Sequence, residues 1–415
     1  MTPLLILLLL PPPGGSQGAP AVESPAGATL TLPEAVALAR VRSPLAEAAR
    51  ARSEGAARAA GVAGRLADPL LDFAIENWRP RASDFDPSAD LDIFAVVTQP
   101  LDLFTRSGRK AQARGESDEA TAGRVRTEQE VVLETIRRYL EVVRGRELVQ
   151  ALEAQAGNLD SIVAKMGRRV DEGYAAEADL LRFRAEAARA SNLLMRATIE
   201  RERAEAALAF LVGQPVTATP LARPDLPAPP PGDTDALAED ALGRLPDVLA
   251  ARARAARARG TQSLEEAHRW PDLALAGGWK RTLGYDTAVV GLVTTVPIFE
   301  RNRRARARAE ADARAAELEL KATIDRARAE TAVLVRAAFA LQARLARLDE
   351  DLVGPAEEAR RSAIAAFEEG AVDVLRVVDA ERTHADARRE ALDLAVDAFV
   401  TTCRARLAAG LEVLP

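Results

Sequence analysis

Aromatic side chains make up only 4% of these 415 residues, and the sequence holds one cysteine and two histidines. So few bulky rings cannot fill a thick globular core, and burial has to come from thin seams between helices. The lone Cys403 excludes an intramolecular disulfide and reads as a small buried apolar residue of the last helix. His268 and His384 lie far apart, and the sequence has no H-E-x-x-H, no Gly-rich phosphate loop and no CxxC. Metal, cofactor and catalytic residues are therefore not expected, and an enzyme reading has no support. A net charge of −6 argues against a general nucleic-acid binder. Nothing past the first residues approaches 18 consecutive apolar positions, so no transmembrane helix is expected, and a membrane crossing would fall to strands.

What is abundant is Ala, Arg, Glu and Leu, the composition of long helices and coiled coils. At the N-terminus, Leu4–Leu10 is an apolar core and Ala19-Pro20-Ala21 offers an A-x-A cleavage site, so residues 1–21 read as a signal peptide, although the first basic residue is Arg40. No cysteine follows to accept a lipid anchor.

The chain repeats itself. Pro44 and Pro69 are spaced like Pro246 and Pro271, and Pro100 and Gly173 like Pro297 and Gly370. "VVTQPLDLF" parallels "VTTVPIFER", and "VDEGYAAEADLL" parallels "FEEGAVDVLRVV". The one length difference falls between Pro69 and Pro100, which marks that segment as a loop tip. The first repeat spans 22–213, with a helix over 33–67, strands over 69–78 and 92–99, a long helix over 102–170 and a returning helix over 176–212. A connector, 214–234, carries seven prolines and is extended. The second repeat spans 235–415, with a helix over 235–269, strands over 272–280 and 288–297, a long helix over 300–368 and a returning helix over 373–410. Leu334, Ala338, Leu341, Leu345, Leu348 and Leu352 step as a coiled-coil seam, and Gly354-Pro355 is expected to kink that rod.

Four short strands cannot close a barrel alone, and an open sheet leaves two edges of unpaired backbone groups. In lipid, strands survive only in closed barrels, so several copies would each donate four strands. Trp78 and Trp279, at equivalent strand ends, suit an interfacial girdle; capping of a soluble sheet is the plainer alternative. The basic runs 105–114 and 301–308 suit phosphates of the periplasmic leaflet, or simply a solvated helix face.

These residues resemble the TolC-like outer-membrane efflux family, through the duplicated layout, "QPLDLF", "VPIFER", "GYAAEADLLRFRAE" and "GAVDVLRVVDAERT". The Pro-rich connector looks most like the heavy-metal (CzcC/CusC-type) branch. The resemblance implies a mainly α chain with a small β part: long antiparallel hairpins form an α-barrel, and four strands per chain enter a homotrimeric 12-stranded transmembrane barrel. It implies a passive exit duct in outer-membrane lipid, joined to a periplasmic adaptor and an inner-membrane pump, with the turns at Gly173 and Gly370 docking the adaptor. Family aspartates that narrow the periplasmic entrance fall on Arg376 and Asp379. Arg–Asp pairs there read as an ion-pair clasp rather than a cation sieve; the plainer alternative is a helix N-terminal turn whose acids, such as Asp373 and Asp179, suit the macrodipole. Phe367 and Val372 replace the tyrosine and arginine that tie the entrance of the best-known member. Two other classes stay open, a soluble coiled coil that tethers membranes and a periplasmic adaptor with one hairpin, but neither accounts for two hairpins with four alternating strands.

Overall fold

A computed structural model describes residues 29–414 apart from Pro80, Ala82 and Pro297; the expected signal segment lies outside the described residues. Helices α1 (Leu32–Arg42) and α2 (Pro44–Val62) lead into strands β1 (Leu70–Glu76) and β2 (Asp92–Pro100), then the rod α3 (Arg106–Asp171) and its return α4 (Glu177–Val212). The second half follows with α5 (Thr234–Ala241), α6 (Pro246–Ala267), β3 (Asp272–Thr282), β4 (Tyr285–Thr295), α7 (Arg303–Leu348), a π-turn (Asp349–Val353), α8 (Gly354–Glu368) and α9 (Val374–Ala408).

Three expected rods are broken, each at a proline. The helix over 33–67 is two, because the residue before a proline is pushed out of the helical region; Ser43, before Pro44, is extended with ψ 118°. The helix over 235–269 divides the same way at Leu245, before Pro246, where ψ is 122°. The long helix over 300–368 passes through the π-turn, since Pro355 has no N–H to donate and its ring crowds the preceding turn. The Cβ of any residue replacing Gly354 would lie 2.9 Å from the Asp349 carbonyl oxygen, so this turn also selects glycine. By contrast α3 runs unbroken for 66 residues, about 100 Å of rod.

The four strands form one antiparallel sheet in the order β1-β2-β3-β4. Leu70 pairs with Thr98 and Asp272 with Thr295, so equivalent residues of the two repeats meet in one common register. The hairpins differ only at the tip. The first closes through the loop 77–91. The second, where a loop was expected over 281–287, continues its ladder to Thr282 and Tyr285 and turns on Leu283 and Gly284, with φ of 49° and 81°. Such a two-residue turn with both φ positive matches the twist of its strands. That continuation is why β4 begins at Tyr285 rather than at 288.

Two apolar clusters organise the helical part. Where the connector crosses the rods, Leu32, Ile136, Tyr139, Val142, Leu208, Val212, Val216, Phe399 and Cys403 are buried together. The Tyr139 hydroxyl lies 2.7 Å from the carbonyl oxygens of both Leu30 and Ala222, tying the start of the described chain to the connector. Arg146 donates to the Val216 and Thr219 carbonyls, each at 2.7 Å, and pairs with the buried Glu205. Arginine suits this work because its fork can hold several acceptors at once. Nearer the turns, Met166, Leu180, Phe183, Val374, Val377 and Val378 join the two hairpins.

Candidate functional site

The cross-strand register sorts the sheet into two chemically distinct faces. Leu71, Phe73 and Ile75 of β1 stand opposite Val97, Ala95 and Ile93 of β2. The latter residues stand opposite Gly277, Trp279 and Arg281 of β3, which in turn oppose Val290, Ala288 and Asp286 of β4. This face is apolar except at its distal end, and its large side chains lie open: Phe73 is 62% exposed and Val290 83%. A monomeric soluble sheet has no reason to present such a patch. The opposite face is mixed: it carries Asp72, Glu76, Asp92, Thr98, Lys280 and Thr287, the small residues Ala74, Ala276, Gly278 and Gly291, and the apolar Leu70, Phe94, Val96, Val289 and Val293. One face almost wholly apolar and the other bearing the charged residues fits the alternation of a barrel wall in lipid. The 11 residues of β3, tilted by about 40°, stand roughly 25 Å tall, the height of an outer-membrane apolar band.

Asp92 ties the distal ends together. It is 8% exposed, accepts from Asn77 Nδ2 at 3.0 Å and from the Leu283 N–H at 3.4 Å, and so joins the long loop to the tight turn. Trp279 lies within β3 on the apolar face, three residues before its distal end. Trp78 lies beyond the end of β1, past Asn77 at φ 58°, and is exposed. The two tryptophans therefore occupy different settings at the same end. At the proximal end, Phe104 and Trp270 stack with centroids 6.0 Å apart, and Arg269 lies over the Trp270 ring. Sequence reasoning missed this pair because Phe104 and Trp270 belong to different repeats.

The two basic runs also diverge. Arg106 Nε donates to the Gly64 carbonyl at 2.6 Å, and Arg109 donates to the carbonyls of Ala63 and Arg65, each at 3.0 Å. The first run thus caps the end of α2, where unpaired carbonyls and the helix dipole favour cations. In the second run Asn302 does that work, donating to the Glu265 carbonyl at 2.9 Å, and Arg301, Arg303, Arg304 and Arg308 are exposed.

At the other end of the rods, Gly173 and Gly370 have φ of 80° and 77°. In each turn the N–H after the glycine donates back, Tyr174 to Arg169 at 2.7 Å and Ala371 to Ala366 at 2.8 Å. A Cβ would meet open space at both sites, so backbone conformation alone selects glycine. Phe367 packs edge-on against Phe183, with centroids 5.5 Å apart, and is half-buried. Arg376 and Asp379 lie on the exposed side of α9, opposite the buried Val374, Val377 and Val378, and form no ion pair with each other. Asp373 caps α9 by accepting the Arg376 N–H at 3.2 Å.

Polar links join the hairpins above these turns. Arg382 of α9 grips the buried Glu186 of α4 with two bonds, one of 2.8 Å from Nε. Lys165 of α3 reaches Glu368 of α8 at 2.8 Å. Between α8 and α9 lies a compact charged cluster. Arg360 contacts Glu357 at 2.8 Å and Glu381, only 1% exposed, at 3.3 Å, and His384 Nε2 lies 2.9 Å from Glu357. Burial pushes the Glu381 carboxyl above the ordinary carboxylate range, against the opposing pull of Arg360. Bonding to Arg360 lowers Glu357, and burial lowers His384. The i,i+3 pair Glu357–Arg360 was legible in sequence, but its meeting with Glu381 was not.

His268 sits 3.4 Å from Glu265 at the end of α6. Cys403 is fully buried, and burial pushes its thiol up to about 12. Among the described residues no group of three His, Cys, Asp or Glu side chains could hold a metal ion.

The profile of the family described as outer membrane efflux protein matches residues 237–409, nearly all of the second repeat. The cobalt-zinc-cadmium resistance protein CzcC of Cupriavidus metallidurans is 26% identical over 299 residues, 71% of each chain. The fold is that of the outer membrane protein VceC of Vibrio cholerae, at TM-score 0.76 and 24% identity, covering 92% of this chain and 96% of that one. CusC gives TM-score 0.77 at 17% identity, covering 94% and 96%. Over its second repeat the chain matches the outer membrane efflux protein family, and as a whole it shares the fold of VceC and CusC. The proteins whose fold it shares are described as an outer membrane protein and as forming a transmembrane channel.

Proposed function

We propose that three copies of this chain close a 12-stranded barrel and a coaxial α-barrel, making the passive exit duct of a tripartite efflux system. The observation that carries this reading is a four-stranded sheet with one apolar face and two unpaired edges, set at the end of long helical hairpins. Each unpaired backbone group in hydrocarbon costs several kcal/mol, so the edges demand partners. Trp78 and Trp279 would meet outer-membrane lipid at the interface. The turns at Gly173 and Gly370 would present the docking surface for a periplasmic adaptor, itself joined to an inner-membrane pump. Likeness to a cobalt-zinc-cadmium resistance protein favours metal cations as cargo, with secreted polypeptides or drugs as the second reading.

At the entrance, Arg376 and Asp379 would line the constriction. Both are exposed and lack each other as partners within the chain, which leaves each available to a neighbouring copy. The test is fractionation with heat-modified gel mobility, followed by conductance in planar bilayers. The channel should fractionate with the outer membrane as a trimer and conduct, and alanine at both Arg376 and Asp379 should raise its conductance. A water-soluble monomer without detergent would refute the duct; unchanged conductance would remove these two residues from the gate.

A further inference from the structure

The two basic runs occupy equivalent places, and the fold accounts for only one of them. The Pro100/Pro297 equivalence sets Phe104, Arg106, Ser107, Arg109 and Ala111 against Arg301, Arg303, Arg304, Arg306 and Arg308. In the first run Arg106 and Arg109 cap α2, and Arg109 also pairs with the Asp102 carboxylate at 3.0 Å. In the second repeat the place of that acid is taken by Phe299, which is 94% exposed. Arg306 is half-buried, and its Nε has no hydrogen-bond partner. Among the described residues Arg301, Arg303 and Arg304 make no ion pair. Arg308 reaches only Asp312, at 3.7 Å with both side chains open to water. The one acid in 296–308, Glu300, is exposed and pairs with none of them.

The stability of the chain does not explain this gathering of charge. Cations at a helix start oppose its dipole, α7 has no acid in its first turn, and Arg304 and Arg308 repel one turn apart. Closing a ring of copies would not cover them either. Within the chain α3 is flanked by both α2 and α6, so it already has the surroundings that α7 would gain from a neighbouring copy. Phe104, Arg106, Ser107 and Ala111 remain exposed in that setting, and the matching arginines of α7 would stay exposed too.

The sheet sets their level in the molecule. β4 ends at Thr295, and the exposed Val296, Ile298 and Phe299 lie between it and the arginines. In sequence, Val296 and Ile298 continue the alternate positions of Val290 and Leu292 on the apolar face. From Arg303 to Arg308 the helix rises about 8 Å, close to the roughly 5–8 Å depth of one headgroup layer.

Resting on the membrane reading above, we propose that Arg301, Arg303, Arg304 and Arg308 form a docking surface for anionic phospholipid of the periplasmic leaflet. The guanidinium groups hold the phosphodiesters, and Phe299 sits at the acyl boundary. Guanidinium meets phosphate with two parallel N–H donors and is more weakly hydrated than an ammonium. The apolar segment directly above the cations favours a headgroup that carries acyl chains over free phosphate. The first repeat has Asp102 in place of Phe299 and its arginines committed to α2, so a trimer would hold three such surfaces rather than six.

Native mass spectrometry of the detergent-purified full chain tests this, because the mass of each adduct identifies what is bound. Titrated with dioleoyl phosphatidylglycerol, the trimer should take up three lipids in a first tight step, and dioleoyl phosphatidylcholine should show no such step. Each basic group against an anionic surface is worth roughly five-fold in affinity. Arg301→Gln, Arg303→Gln, Arg304→Gln and Arg308→Gln together should therefore weaken the step at least ten-fold, and Lys at the same four positions should weaken it less. Equal uptake by the wild type and the Gln variant, both running as heat-modifiable trimers, would overturn the proposal and leave the channel reading standing. Phosphate adducts from about 1 mM sodium phosphate, formed in place of lipid, would assign the surface to free phosphate and overturn it equally. A wild-type chain that stays a water-soluble monomer would remove the membrane reading itself.

Discussion

The two rods begin from equivalent sequence and are built differently. In α3, Gly157-Asn158 sits inside an unbroken helix; at the same place in the second repeat, Gly354-Pro355 follows a π-turn and divides α7 from α8. Below that point the contrast deepens. The buried Glu381 stands where the first hairpin has exposed Arg184, and Glu357, Arg360 and His384 stand where it has Asp160, Val163 and Ala187. Among the described residues the first hairpin has no such cluster between its own helices below that point; its buried Glu186 pairs instead with Arg382 of α9. The second carries a break and a desolvated charge cluster beneath it, and so holds its own two helices with bonds that depend on charge state.

The largest effect should come from unpairing the buried charge. Arg360→Met strips Glu381 and Glu357 of their shared cation, and breaking a buried pair costs about 3–5 kcal/mol. Hydrogen exchange of α8 and α9 amides should accelerate while α3 and α4 exchange as before. Equal acceleration in both hairpins would mean that the cluster is no local device. Next, Asn158→Pro should impose on α3 the break that α7 and α8 already have, at about 3 kcal/mol for proline within a helix. The reverse change, Pro355→Asn, should restore a continuous second rod, visible as new amide protection across 349–355.

A smaller effect separates the seams. Gly115 of α3 faces α6 so closely that a Cβ would lie 2.6 Å from the Arg257 nitrogen, whereas Gly123 on the same helix has nothing within 4 Å. Gly115→Ala should destabilise by about 1–3 kcal/mol through overpacking. Gly123→Ala should stabilise by up to about 1 kcal/mol, since alanine is the better helix former. The midpoint of thermal unfolding of the assembled protein should move in opposite directions for the two variants.

Most of the architecture was legible because it rests on local signals that repeat. Period-2 alternation placed Leu71, Phe73 and Ile75 on one face, and the turns at Gly173 and Gly370 announced themselves through residues around a positive φ. Helix ends were misread where a proline acts on the residue before it, as at Ser43 and Leu245, because composition on both sides stayed helical. What escaped was whatever depends on two repeats meeting. The Phe104–Trp270 stack, the Gly115–Arg257 contact and the Glu186–Arg382 bridge join positions that no spacing rule connects. The basic run at 105–114 looked free because the carbonyls it caps belong to the preceding helix.

The smallest effect is a pH dependence confined to the second hairpin. Burial holds His384 below its ordinary value of 6.5, with Glu357 pulling upward and Arg360 and Arg388 pushing down. The unfolded segment therefore binds the proton more readily, so His384's contribution is intact above about pH 6.5 and is lost as pH falls toward the folded value. Glu381 works in the opposite sense. Its raised value means that the folded hairpin holds the proton more readily, and the cost of ionising it grows as pH rises above the ordinary 4.5. Local exchange of α8 and α9 at pH 7.5 and 5.5 should then show weaker protection at the lower pH. His384→Gln should flatten that slope, and Glu381→Gln should steepen it by removing the opposing group. The first hairpin, with Ala187 and Arg184 at those places, should show no such slope. A slope shared by both hairpins would place its origin in the common seams and outside the cluster.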